Sequence, residues 1–273
     1  MPTSRNDIPI ISVLMGVLYR REKTDQLRES VDSILQQTED RFELLICDDG
    51  SLPEAKCFLD EYSHKDERIR LLRPGDKLDL ASKLNTCLRE ARGRFIARMD
   101  DDDYSFPERF QKQAALLESR TDLAFVGTNV FLRQNGVCYR ELILPEYPQI
   151  RDFHMTQPFV HPTLMFRREP LETVNGYSED KRQFRCEDYD LFLRLYAKGY
   201  HGMNLQEPLL SYTVSESAKG NRTMRDRWNE TATRWERFRE LGELPQALPY
   251  VIKPLAVGFL PEPILERLKN RRL

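Results

Sequence analysis

A run of strand-forming residues, Phe95 to Met99, ends directly on four aspartates: Asp100, Asp101, Asp102 and Asp103. Four adjacent carboxylates repel one another, and nothing about folding requires them. A divalent cation reverses that penalty, because hard ions such as Mg²⁺ or Mn²⁺ take oxygen ligands and bridge to phosphate oxygens. Position matters as much as composition. In open α/β sheets, ligands sit beyond the carboxyl ends of strands, and this cluster follows directly on one. The competing reading is a solvated acidic turn ahead of a helix at Pro107, since Asp favours turns and helix starts.

The residues before the cluster bear on the choice. Residues 8–18 (IPIISVLMGVL) form a continuous apolar run, as a buried parallel strand does. Leu27, Val31, Ile34 and Leu35 then fall at helical spacing, with Thr24 or Asp25 placed to cap. Residues 42–47 (FELLIC) make the next strand, which ends on Asp48, Asp49, Gly50 and Ser51. Ser51 and Glu54 have the spacing of a capping box, with Pro53 in the first turn and Ala55, Phe58, Leu59 and Tyr62 as core face. Residues 69–72 give a short third strand. Leu80, Leu84, Cys87, Leu88 and Ala91 mark a third helix, which Gly93 can close in the left-handed conformation. Strand and helix thus alternate three times before the strand that meets the aspartates. That is half of a doubly wound α/β fold, with two acidic turns at strand ends. Asp48 and Asp49 either build a tight turn or accept hydrogen bonds from a nucleobase or ribose.

Beyond Pro107 the pattern changes. Residues 124–132 and 139–144 alternate as antiparallel strands do, with Asn135 and Gly136 as the turn. Residues 161–166 (HPTLMF) read as another short strand. Glu187, Asp188, Tyr189 and Asp190 open a helix that carries Leu191, Phe192, Leu195 and Tyr196 and ends at Gly199. Acids in a first helical turn are favoured by the dipole alone; the functional alternative is a carboxylate held there as a general base. Residues 205–214 read as a last strand, and 225–241 as an arginine-rich helix with Trp228 and Trp235.

Bulk properties exclude several classes. A mean hydropathy of -0.61 describes a soluble chain, and no apolar run approaches the roughly 18 residues of a membrane span. The start lacks the basic-then-apolar plan of a signal peptide. Five cysteines, an odd number without metal-like pairing, suggest reduced thiols in a cytosol. A net charge of -2 argues against general nucleic-acid binding, although residues 222–239 and 267–272 are basic.

With these acidic elements placed, the chain resembles a family 2 glycosyltransferase with the GT-A fold. SVLMGVL is similar to the family's first nucleotide-contacting strand, and the stretch ending in CDDGS to its Asp-Asp-Gly-Ser turn. LNTCLREARGRFIARMDDDD resembles the run into its Asp-x-Asp metal motif, and CEDYDLFLRL its Glu-Asp motif. The resemblance covers residues 9 to 213. It implies a Rossmann-like, mostly parallel sheet with helices on both faces and a small antiparallel acceptor-side part. Residues 1–215 would form the catalytic domain and 216–273 a helical extension. Asp48 and Asp49 would hold base and ribose, with Arg73 near the nucleotide. Asp102 would bind Mn²⁺ or Mg²⁺, and Asp100 the ribose or the metal. Asp103 would support the sugar, and Glu187 and Asp188 would be catalytic, with Asp188 the base.

Two departures stand out. Residues 75–85 (GDKLDLASKLN) lack the family's Asn-x-Gly, and no His-based pyrophosphate motif follows Tyr212, leaving Lys219 or Arg222 to serve. Without a Gln-x-x-Arg-Trp sequence, single-sugar transfer is expected rather than processive synthesis. The resemblance implies inverting transfer from a nucleotide sugar, UDP-linked first, to a saccharide or lipid-linked acceptor in surface-polysaccharide synthesis. Nucleotide-sugar binding without turnover is the alternative. A cytoplasmic enzyme at the inner face of the membrane is expected. The apolar residues 250–260 and the basic residues after them either pack on the domain as a tail helix with a solvated basic end or make a peripheral contact with anionic lipid.

Overall fold

In β2 (Phe42–Asp48) every residue is buried, and the same holds for β4 (Phe95–Met99). Strands buried on both faces need helices on both sides. The computed structural model of the chain describes residues 8–17, 24–214 and 222–259. The other elements around these strands are β1 (Ile11–Val17), α1 (Thr24–Leu35), α2 (Pro53–Lys65), β3 (Ile69–Leu72) and α3 (Leu80–Glu90). The strands β3, β2, β1 and β4 lie side by side in that order and all pair in parallel. Alternate β1 residues Ile11, Val13, Met15 and Val17 pack with Leu27, Val31 and Ile34 of α1 and Phe58 and Leu59 of α2 in one core. The opposite face receives α3, whose Cys87 Sγ lies 3.5 Å from the Leu45 carbonyl oxygen.

The sheet continues through antiparallel pairing. β5 (Tyr104–Ser105), α4 (Arg109–Ser119), β6 (Phe125–Gln134) and β7 (Val137–Leu142) follow in the chain, then a four-residue helix α5 (Asp152–Met155), β8 (Met165–Arg167) and α6 (Arg168–Thr173). After α7 (Glu187–Ala197) comes β9 (Gly202–Thr213), then α8 (Met224–Glu240) and α9 (Leu244–Gly258). The strand order is β3-β2-β1-β4-β8-β6-β9-β5, with β7 on β6. Asn135 and Gly136, both at positive φ, make the β6–β7 turn that the Asn-Gly pair predicts.

The described residues fall into two compact units. One holds all nine of these strands with α1–α4 and α6; the other comprises residues 149–157 and 178–199 with α8 and α9. In the second unit, Phe153 packs edge-on to Tyr189 and Tyr196, and Arg234 lies over the Tyr189 ring. Buried Asp190 pairs with Arg194 and Arg237 at 2.7 and 2.8 Å, tying α7 to α8. Thr223 and Asp226 form a capping box at the start of α8.

Four local expectations need correction. Ser51 does not cap α2: its N–H donates to Asp48 Oδ1, and the N-cap position passes to Leu52. Thr24 and Asp25 lie inside the first turn of α1 rather than ahead of it. Residues 161–163 form a 3-10 turn, so the strand there begins only at Met165. Gly93 does not close α3, which ends at an extended Ala91. Gly93 is small because β1 is close: a Cβ there would lie 2.6 Å from Ser12 N and 2.7 Å from the Ile11 carbonyl carbon.

Candidate active site

Both acidic turns of the sheet flank β1. Asp48 pairs in register with Val17 on one side, and Met99 with Met15 on the other, so the turns leave parallel strands at their shared carboxyl end. This is the end at which open α/β sheets bind ligands.

The first turn is held from within. Asp48 Oδ1 accepts the N–H groups of Gly50 and Ser51 at 3.3 and 2.9 Å, and its Oδ2 faces Arg73 Nε at 3.3 Å. Burial alone would raise the Asp48 carboxyl, yet these donors hold it below the usual carboxylate range. Arg73 also bonds Asp60 at 2.6 Å. Asp49 Oδ2 accepts the Leu78 N–H at 2.7 Å, while its Oδ1 lies 2.8 Å from Lys83 Nζ. Lys83 reaches on to the Val17 carbonyl at 2.9 Å. Its stem packs over Gly16, where a Cβ would approach Lys83 Cβ to 3.3 Å.

The second turn rests on a buried arginine. Arg98, 1% exposed, points into the protein from β4; its guanidinium bonds Asp100 Oδ1 and the carbonyl oxygens of Met99 and Leu14. Ser30 Oγ donates to the Asp100 carbonyl at 2.8 Å. Asp100, Asp101 and Asp102 are half-buried, whereas Asp103 is buried. Asp103 Oδ1 accepts the Thr213 N–H at 2.7 Å, and Thr213 Oγ1 donates to the Asp102 carbonyl, so the end of β9 clamps the cluster. Burial, and then the charges of Asp100 and Asp102, push the Asp103 carboxyl well above its ordinary value. Among the described residues, no group of three or more His, Cys, Asp or Glu side chains is arranged to hold a metal. A phosphate-bridging Mg²⁺ or Mn²⁺ does not need one, since one or two carboxylates with substrate phosphates suffice.

In the second unit, a backbone turn prepares the Glu-Asp pair. Arg185 has φ of 65°, and Glu187 Oε1 accepts its N–H at 2.9 Å. Asp188, the second residue of α7, accepts Gln157 Nε2 on Oδ2 at 2.9 Å and the Tyr189 N–H on Oδ1 at 2.7 Å. Burial raises its carboxyl, against the lowering by Gln157. Arg222 is exposed and pairs with Glu230; Lys219 lies outside the described residues. Lys83, Arg98 and Gln157 escaped the motif reading. Lys83 had a visible signal, a charge on the otherwise apolar stripe of Leu80, Leu84 and Cys87. Arg98 had one too, a charge inside a buried strand.

Residues 16–174 match the profile of "Glycosyl transferase family 2". The chain is a family 2 glycosyltransferase. It is 35% identical to the "Putative glycosyltransferase EpsE" of Bacillus subtilis over 98% of this chain and 96% of that one. To the O-antigen biosynthesis glycosyltransferase WbnJ of Escherichia coli it is also 35% identical, over 76% and 80%. Its fold matches S. aureus TarS 1-349, solved with UDP-GlcNAc, with a TM-score of 0.69 at 16% identity over 89% of this chain and 72% of that one. It also matches the mannosyltransferase PcManGT of Pyrobaculum calidifontis, solved with GDP-Man and Mn²⁺. There the TM-score is 0.63 at 16% identity, over 98% and 80%. The fold is GT-A, as the motifs implied.

Proposed function

We propose that this glycosyltransferase moves one sugar from a nucleotide-linked donor, UDP-linked first among candidates, to a hydroxyl of a lipid-linked saccharide. The setting is bacterial surface-polysaccharide synthesis at the inner face of the membrane. The observation that carries the reading is the pair of acidic turns on either side of β1. The curated relatives named for O-antigen, amylovoran and teichuronic acid biosynthesis support the pathway class. The likeness to proteins solved with UDP-GlcNAc and GDP-Man supports the donor class.

Residues 1–215 would carry the chemistry and 216–273 an extension. The Asp48–Asp49 turn, braced by Arg73 and Lys83, would receive base and ribose. Asp102 with Asp100 would hold Mn²⁺ or Mg²⁺, with Asp103 behind them supporting the donor side. The ion, when bound, stabilises negative charge on the leaving diphosphate. The acceptor hydroxyl has a pKa far above 7 and must lose its proton during attack, and Asp188 would take it, with Glu187 holding the turn before it. Attack on the face opposite the leaving group inverts the anomeric carbon.

Asp102 is half-buried, so Asp102→Asn should leave the fold intact, abolish transfer and remove the Mn²⁺-dependence of UDP binding. Metal-dependent binding that survives in this variant would sink the assignment.

A further inference from the structure

The outward side of α9 carries no charge. The helix has one ionisable chain among its first-to-last residues apart from Tyr250, Lys253, and that ammonium donates to the Met155 carbonyl at 2.8 Å. Ala247, Val251 and Pro254 turn inward, whereas Leu248, Ile252 and Phe259 are 40%, 51% and 79% exposed. Steps of four and seven place those three on one stripe. Helix α8 repeats the arrangement. Met224, Trp228 and Trp235 fall on the side opposite buried Asp226 and Thr233, and all three are exposed. The helices meet where α8 starts and α9 ends: Arg227 Nη1 lies 3.4 Å from the Pro254 carbonyl, and a Cβ on Gly258 would meet Met224 Sδ at 2.7 Å. Six large apolar side chains exposed on two packed helices exceed what scattered surface residues explain, and such patches mark interaction sites.

Charge selects the occupant. The chain continues past Phe259 with Arg267, Lys269, Arg271 and Arg272 against Glu262 and Glu266, in a stretch outside the described residues. Arg225 and Arg239 are exposed on α8 beside the tryptophans. A second copy would bring the same basic residues against each other, whereas an anionic surface is complementary to them. Exposed tryptophans with arginines beside them on α8, and exposed leucine, isoleucine and phenylalanine on α9, are the residue types that helices lying in a membrane interface present. No helix among the described residues is long and apolar enough to cross a bilayer.

We propose that the exposed α8–α9 face is the surface by which this enzyme sits on an anionic bilayer. It deepens the reading of a lipid-linked acceptor, and rests on it only for its purpose: such a face would keep the enzyme where that acceptor is anchored.

The test uses the full chain and its own reporters, because both of its tryptophans lie on this face. Titration with phosphatidylcholine vesicles containing phosphatidylglycerol should shift tryptophan emission to the blue, and brominated lipid should quench it. Pure phosphatidylcholine should give a weaker response. Ile252→Asp with Phe259→Asp should lower partitioning by at least about tenfold, from the lost apolar burial, and leave metal-dependent UDP binding unchanged. No blue shift, or an equal shift with neutral vesicles, overturns the proposal. So does a concentration-dependent dimer abolished by the same pair of substitutions, or quenching by soluble oligosaccharide without vesicle binding. Vesicle binding with no transfer to a lipid-linked acceptor would instead refute the acceptor and leave the surface standing.

Discussion

Lys83 Nζ lies 2.8 Å from Asp49 Oδ1, and both side chains are buried. The pair joins α3 to the end of β2 behind the turn proposed to receive the nucleotide. Removing one partner strands a buried charge, a loss of about 3–5 kcal/mol. Lys83→Met should therefore lower the urea midpoint strongly, and Lys83→Met with Asp49→Asn should recover most of that loss. A double variant no more stable than the single would show that the pair is not coupled.

Asp188, the proposed base, has its carboxyl raised by burial. A base acts deprotonated, so the rate should fall as pH drops through that raised value, above the usual Asp range. Gln157 lowers it by a 2.9 Å hydrogen bond, and Gln157→Ala should move the acid limb of kcat to higher pH. Asp188→Asn should cut turnover by about 10²–10⁴-fold with donor affinity near normal. A parallel fall in donor affinity, measured by calorimetry, would make Asp188 a donor ligand or a structural cap.

Gly93 touches the backbone of β1, which cannot give way as a flexible side chain can. Gly93→Ala should destabilise the protein by about 1–3 kcal/mol or more, as overpacking does. At Gly75 an added Cβ meets nothing within 4 Å, so Gly75→Ala should be nearly neutral. Thermal melts of the two variants would separate close approach from a general intolerance of alanine.

Glu43 is buried, which by itself would raise its carboxyl; bonds from Arg70, Ser12 and Arg92 bring it below the ordinary value. A folded pKa below the unfolded one contributes stability at neutral pH. That stability should decline as pH falls from the unfolded value of 4.5 through the folded one. Glu43→Gln should flatten this acid limb of the urea midpoint. An unchanged acid slope would remove Glu43 from the account.

The alternation of apolar runs with amphipathic stretches determined the parallel half of the sheet, because the periods of strand and helix are local properties. β4 and the Asn135–Gly136 hairpin were legible for the same reason. The two aspartate clusters were visible too, as charge that folding alone does not require. Only the tertiary structure decided how those charges are balanced. Lys83 lies 34 positions beyond Asp49, and Thr213 clamps Asp103 across 110; no local pattern links such partners. Gly93 illustrates the same limit. Its place after a helix pointed to a left-handed cap, but β1 is so near that an added Cβ would lie 2.6 Å from Ser12 N, and this is what requires its missing side chain. Local propensity reads short-range backbone preference, whereas the pairing of buried charges and the closeness of strands arise from contacts between segments far apart in the chain.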